Sequence, residues 1–173
     1  PQATFTTSAY SKLSAIVGGI LGANATKATA CAMHDLVNRG NITISGKVGN
    51  NTLVGGIAGR PTTADGRNMY NYGKMSFTEG GARLLHLGGV FGYLAAALEN
   101  NYTNIHNYGE VEVKNIDFLS ICVGGTIGSA LSNSAYEKTN RISNISNNVP
   151  VTVSDVTQQT GHTSNGYFRI GGI

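Results

Sequence analysis

The chain has 173 residues, with 12 Lys and Arg against 9 Asp and Glu for a formal net charge of +3, and 24 of its residues are glycine. Only 12% of the residues are charged while Asn, Ser and Thr are abundant, so the Lys/Glu-rich surface of a helical protein is missing and strands and turns are favoured. The cations are scattered from Lys12 to Arg169 without a run, which argues against a nucleic-acid footprint, and the longest apolar stretch, Leu84 to Leu98, is broken by His86 and three glycines and falls short of a membrane span.

Taken in chain order, two marks alternate. The first is an apolar residue, two glycines, an apolar residue, a variable residue and a third glycine, beginning with Val17-Gly18-Gly19-Ile20-Leu21-Gly22. It returns at Val54-Gly55-Gly56-Ile57-Ala58-Gly59, at Leu87-Gly88-Gly89-Val90-Phe91-Gly92 and at Val123-Gly124-Gly125-Thr126-Ile127-Gly128, and opens again at Ile170-Gly171-Gly172-Ile173. The second mark is Asn-x-Gly followed by alternating apolar residues: Asn38-Arg39-Gly40 before Ile42 and Ile44, Asn71-Tyr72-Gly73 before Met75 and Phe77, Asn107-Tyr108-Gly109 before Val111 and Val113. A fourth copy, Asn147-Asn148-Val149 before Val151 and Val153, has lost its glycine. An apolar residue stands two before each Asn, at Leu36, Met69, Ile105 and Ile145.

From Asn to the first glycine of the next pair the distance is 17 residues in three successive units (38 to 55, 71 to 88, 107 to 124), whereas the return segment varies over 20, 16 and 19. A fixed arm and a variable arm imply paired strands and a surface loop. In the fourth unit the arm grows to 24 residues, with Thr157 to Thr163 as the expected insertion. Alternation at period two after each Asn-x-Gly is the pattern of a strand with one buried face, with Thr43, Ser76 and Glu112 expected towards water. The paired glycines have two possible causes, a sharp corner or a strand stripped of side chains because another backbone passes close; apolar residues alternate through them, which favours the second. Tyr93 to Asn100 is helix-favouring and predicts a short helical turn in the variable arm. Cys31 and Cys122 sit in apolar company at non-equivalent places two units apart, on the order of 10 Å if units stack at about 4.8 Å, so both are expected to be buried free thiols.

These periods predict an all-β repeat protein, a stacked β-solenoid of units of about 33–37 residues. One domain spans 1–173, with units at about 15–51, 52–84, 85–120 and 121–173; the start at Pro1 and the stop inside a recurring mark suggest a fragment of a longer chain. Gly-Gly-apolar-x-Gly, a loop, then Asn-x-Gly and a short alternating strand resembles the GLUG-type and related glycine-rich repeats of large bacterial surface and secreted proteins, often of Bacteroidetes. The resemblance covers about residue 15 to 173. It implies a stacked β-fold at the cell surface, outer-membrane associated, as found in adhesins or surface-layer proteins, and it brings no catalytic residue.

His34 lies three residues from Cys31, but the pair reads as a packed thiol beside a surface imidazole. Glu110 and Glu112 share a strand face, yet equivalent places hold Lys74/Ser76 and Asn41/Thr43, as on an ordinary solvated face. The nine acids are too thinly spread for calcium, and His86, His106 and the cysteines lack zinc spacing. Five copies of the glycine mark argue against a single phosphate loop. No catalytic residue, metal or cofactor is therefore expected. The residues at the variable place of Asn-x-Gly, Arg39, Tyr72, Tyr108 and Asn148, should line up along one edge. Arg39, Tyr72 and Tyr108 would then form either a stabilising aromatic ladder or a platform for sugar rings. The function expected is a non-enzymatic extracellular structural or adhesive module, the alternative a glycan-binding or glycan-processing one. Its partners would be other protein subunits or surface glycans, and a surface assembly would suit open strand edges.

Overall fold

The computed structural model describes residues 3–7, 15–23, 32–48, 50–63, 65–95, 100–131, 140–159 and 166–173. Within these residues sixteen strands follow one another: β1 (Ala3–Thr7), β2 (Ala15–Gly18), β3 (Leu21–Ala23), β4 (Ala32–Asn38), β5 (Ile42–Lys47), β6 (Asn51–Gly55), β7 (Ala58–Arg60) and β8 (Asp65–Asn71), then β9 (Met75–Gly88), β10 (Phe91–Ala95), β11 (Asn100–Asn107), β12 (Val111–Gly124), β13 (Ile127–Leu131), β14 (Asn140–Asn147), β15 (Val151–Gln158) and β16 (Phe168–Gly171). Among the described residues every pairing is parallel, and each strand pairs with its equivalent one turn away, so the chain is a β-solenoid of about three turns. A large sheet joins β1, β5, β9, β12 and β15, with β2, β6 and β16 continuing its second half; β3, β7, β10 and β13 form a second sheet, and β4, β8, β11 and β14 a third.

Register explains the fixed arm. In the two middle turns it is one strand of 14 residues, β9 or β12, paired residue by residue with its neighbour from Met75↔Val111 to Gly88↔Gly124. One residue more would turn every following side chain to the opposite face, so its length cannot drift. Both flanking turns split the arm, into β5 and β6 below and β15 and β16 above. Phe118↔Gln158 and Ile121↔Phe168 place the extra residues of the fourth unit between Gln158 and Phe168. Thr157 and Gln158, expected inside the insertion, are in register within β15.

The apolar repeats stack on themselves. Ile42, Met75, Val111 and Val151 share one register line, and Ile44, Phe77, Val113 and Val153 another. Near its middle the arm bends, at left-handed residues Glu79, Asn115 and Asp155 (φ 54°, 52° and 52°), with Gly46 at φ 82° in the arm of β5 and β6. That bend lets the arm close on its own side chains, so Met75 and Phe77 share a core with Leu85 and Leu87. Ile57, Val90, Phe91 and Leu94 of the corner and second sheet pack with Met69, Tyr102 and Ile105 of the third sheet in a separate core. Each such side chain fully removed from water contributes roughly 1.5–3 kcal/mol.

Between the two cores the coil is pinched. The second glycine of each pair lies against the Asn of the other mark: Gly19 against Asn38, Gly56 against Asn71, Gly89 against Asn107, Gly125 against Asn147. None of these glycines is left-handed; what excludes a side chain there is close backbone and the Asn side chain. At Gly55 and Gly88 the obstacles are the carbonyl three residues on in the same corner, Ala58 or Phe91, and carbonyls and amides of the adjacent turn, so both the sharp corner and the close backbone approach exclude a side chain.

Two expectations are corrected. Tyr93–Ala95 are strand, because their ladder with Ser129, Ala130 and Leu131 outweighs a weak helical propensity; residues 96–99 lie outside the described residues. Ser76 is buried rather than facing water, with Glu112 hydrogen-bonded to it. Cys122 is a buried free thiol, while Cys31 lies outside the described residues.

Candidate functional site

The edge that carries Arg39, Tyr72 and Tyr108 is built by the Asn-x-Gly turns between the third sheet and the long arm. Within one turn the Gly73 amide donates to Asn71 Oδ1 at 3.3 Å and Asn71 Nδ2 donates to the Gly73 carbonyl at 2.8 Å. The same Nδ2 also reaches Asn107 Oδ1 at 2.8 Å in the next turn, as Asn38 reaches Asn71 and Asn107 reaches Asn147. Backbone bonds from Tyr72 N to Asn38 O (2.8 Å) and from Tyr108 N to Asn71 O (2.7 Å) fix the exposed residue of each turn directly over the last. Each turn therefore holds its middle side chain outward and in line.

The three residues stack. The Arg39 guanidinium lies 4.7 Å from the Tyr72 ring centre, and the Tyr72 and Tyr108 rings are 4.9 Å apart and 10° from parallel. Both tyrosines stay exposed, at 43% and 40%. Tyr72 has a face covered from each side, by Arg39 and by Tyr108, so it presents its edge and hydroxyl outward.

Beside this column runs a second one, Val37, Tyr70, His106 and Ser146, in register in the third sheet. Tyr70 stacks on His106 at 5.6 Å, and His106 meets Tyr108 at 6.3 Å, which ties the columns together. Hydrogen bonding gives the imidazole a direction. Asn104 Oδ1 accepts from Asn144 Nδ2 (2.9 Å) and lies 2.7 Å from His106 Nε2, so Nε2 carries a proton; the other nitrogen then accepts from Ser146 Oγ at 2.7 Å. Asn104 Nδ2 passes the pattern on to the Tyr70 hydroxyl and to Asn68 Oδ1, both at 2.7 Å. Asn68 Nδ2 in turn donates to Asp35 Oδ1 at 2.8 Å, and that bond, with His34 beside it, holds the Asp35 carboxyl below its ordinary value.

Asp35, Asn68, Asn104 and Asn144 are all left-handed, at φ 58°, 53°, 61° and 48°, and form a second side-chain ladder on the surface. Asp and Asn tolerate that conformation better than other side chains. The signal was present in the sequence as an Asp or Asn three residues before each Asn of the turn.

Elsewhere, Lys74 Nζ holds both carboxylates of the Glu110/Glu112 pair, at 3.4 and 2.8 Å, and lowers the Glu112 pKa, so these acids form a surface ion cluster. His86 and Cys122 lie in register on adjacent strands although 36 residues apart, a proximity that only the coil creates. Burial pushes the thiol pKa up and the imidazole pKa down, which favours a neutral pair and leaves the thiol poor in thiolate. Because the folded state disfavours His86 protonation, its contribution to stability is complete above the unfolded value of about 6.5 and is lost as pH falls towards the lower folded value. Urea unfolding at about pH 7.5 and about pH 5 should show a smaller acid loss for His86→Gln than for the parent chain; equal losses would place the acid sensitivity elsewhere. Among the described residues no group of three or more His, Cys, Asp or Glu is arranged to hold a metal ion, and no helix is long and apolar enough to cross a membrane.

What the edge offers chemically is neutral hydrogen bonding, aromatic edges and one guanidinium. Comparison of the chain with protein-family models, with curated proteins and with solved structures finds no match.

Proposed function

We propose that the chain is a non-enzymatic structural and adhesive segment of an extracellular bacterial cell-surface protein, of the kind its GLUG-like marks imply. The observation that carries this reading is the turn-to-turn repetition of the interior rung. Asn38, Asn71, Asn107 and Asn147 repeat one hydrogen-bonded rung and the core lines stay apolar, while Arg39, Tyr72 and Tyr108 differ between turns on the outer edge. A coil built this way is a stiff rod that displays variable side chains, with each turn stabilised by its neighbours. Antibodies against the chain should label intact cells of the source organism, and labelling only after lysis would overturn the placement.

A second reading, a glycan-binding edge, is supported by the exposed run of Arg39, Tyr72 and Tyr108. Sugar rings would meet ring edges and hydroxyls rather than the stacked faces. Tyr72→Ala with Tyr108→Ala should cost about 2 kcal/mol in unfolding free energy, the sum of one ring–ring and one cation–ring contact. On a glycan array this reading expects lost binding with the fold intact by circular dichroism. Unchanged binding would leave the column a purely stabilising ladder.

A further inference from the structure

On the outward side of the arm's second half lies a groove that neither tyrosine column touches. Two depressions run together there, sharing Asn51, Leu84 and Tyr167. Leu53 and His86 line the first with Arg60 and Tyr93, and Arg83, Leu119 and Ser120 line the second. Arg169 stands in register with Cys122, itself in register with His86, and its guanidinium rests 4.8 Å from the Tyr167 ring. Tyr167 is fixed in place by its carbonyl, which accepts from Ile121 N at 2.8 Å, and by its amide, which donates to Ser120 Oγ at 3.3 Å.

Charge along the groove has one sign. Arg60 and Arg83 line it and Arg169 stands against Tyr167 beside it, and among the described residues no carboxylate lines either depression and none of the three arginines makes an ion pair with an acid. Two buried polar atoms of its lining residues lack partners among the described residues. They are Nδ1 of His86, a residue 8% exposed, and Nε of Arg60.

Between the cations the lining is neutral or apolar. Leu84, half-buried, sits where the depressions join, flanked by the Asn51 amide and the Tyr167 ring. A small inorganic anion would have no use for that middle, and a nucleic acid would find Tyr93 and Tyr167 already carrying Arg60 and Arg169. A pyranose has an apolar ring face for the leucine, hydroxyls for the amide and phenols, and, when acidic, carboxylate or sulfate oxygens for the guanidiniums. Three rungs at about 4.8 Å give the groove a span of roughly 10 Å.

We propose that this groove binds an acidic oligosaccharide, its anionic groups held by Arg60, Arg83 and Arg169 and a sugar ring lying over Leu84. The site is separate from the Tyr72/Tyr108 edge and does not depend on where the protein resides.

Calorimetric titration with an oligogalacturonate, a heparin oligosaccharide, a neutral maltooligosaccharide and a short single-stranded DNA tests it. Binding of either acidic sugar but not of the neutral one is expected, and whichever binds tighter identifies carboxylate or sulfate as the preferred anion. Arg83→Gln and Arg169→Gln, both at exposed positions, should each weaken binding by about tenfold, while Lys114→Gln, an exposed cation that lines neither depression, leaves it unchanged. Absence of binding by both acidic sugars, affinity unchanged in the double arginine variant with its fold verified, or DNA binding as tightly as the sugars would each overturn the proposal.

Discussion

Gly89→Ala should destabilise the chain by about 3 kcal/mol or more, although replacing a glycine that is not left-handed by alanine ordinarily stabilises by reducing unfolded-state entropy. A Cβ on Gly89 would fall inside the contact distance of the Gly125 carbonyl oxygen in the next turn and of the Asn107 amide group, 2.5 Å from its Nδ2. Neither neighbour can yield. The carbonyl accepts the Gly89 amide at 3.1 Å, and the Asn side chain is locked into its own turn and into the rung above. Room for the methyl group would come only from separating two turns at the pinch, which loosens both cores at once. Gly172→Ala provides the control, since a Cβ there meets nothing within 4 Å, and it should change stability by no more than about 0.5 kcal/mol. Urea unfolding of the two variants decides the matter; a Gly89→Ala cost below about 1 kcal/mol would mean that the pinch is looser than its geometry implies.

The same contact shows how far the sequence could be read. Both marks were visible as recurrences, because a parallel coil repeats its interior and the interior is where composition is constrained. That the marks touch was not visible: Gly56 and Asn71 are 15 residues apart, Gly89 and Asn107 are 18, and only a doubly bent turn brings them together. The bend itself left no motif, since Glu79, Asn115 and Asp155 differ in type and share only a left-handed backbone. Arg39, Tyr72 and Tyr108 were legible as a line because each sits at one place of a repeated turn. Arg60, His86, Tyr93, Tyr167 and Arg169 were not, since Arg60 and Tyr93 hold one place of the repeat, His86 and Arg169 another and Tyr167 a third, and the three places meet only across the corner between two sheets. Tyr93–Ala95 misled because local propensity there opposes a ladder whose partners lie 36 residues away.

Asn107→Asp should be more damaging than its size suggests, and its damage should depend on pH. Asn107 is fully buried and uses both ends of its amide. Its Nδ2 donates to the Gly109 carbonyl at 2.7 Å and to Asn147 Oδ1 at 2.9 Å, while its Oδ1 accepts from the Gly109 amide and from Asn71 Nδ2. A carboxylate keeps the shape and the two accepted bonds but turns two acceptors against an anion, in a place water does not reach. The cost at neutral pH should be about 3–5 kcal/mol, the range for a buried charge without its partner. Protonation relieves it, so the folded state holds the proton more tightly than the unfolded state, where the carboxyl titrates near 3.9. Stability relative to the parent chain should therefore be highest below about pH 4 and fall as pH rises through the raised folded value. Asn107→Ala breaks the same bonds without adding a charge and should show a deficit that pH leaves unchanged. Unfolding curves for parent and variants at about pH 4 and about pH 7 separate the two cases. A pH-independent deficit for Asn107→Asp, equal to that of Asn107→Ala, would show that the rung holds the turns together by shape alone and that the direction of its hydrogen bonds is immaterial.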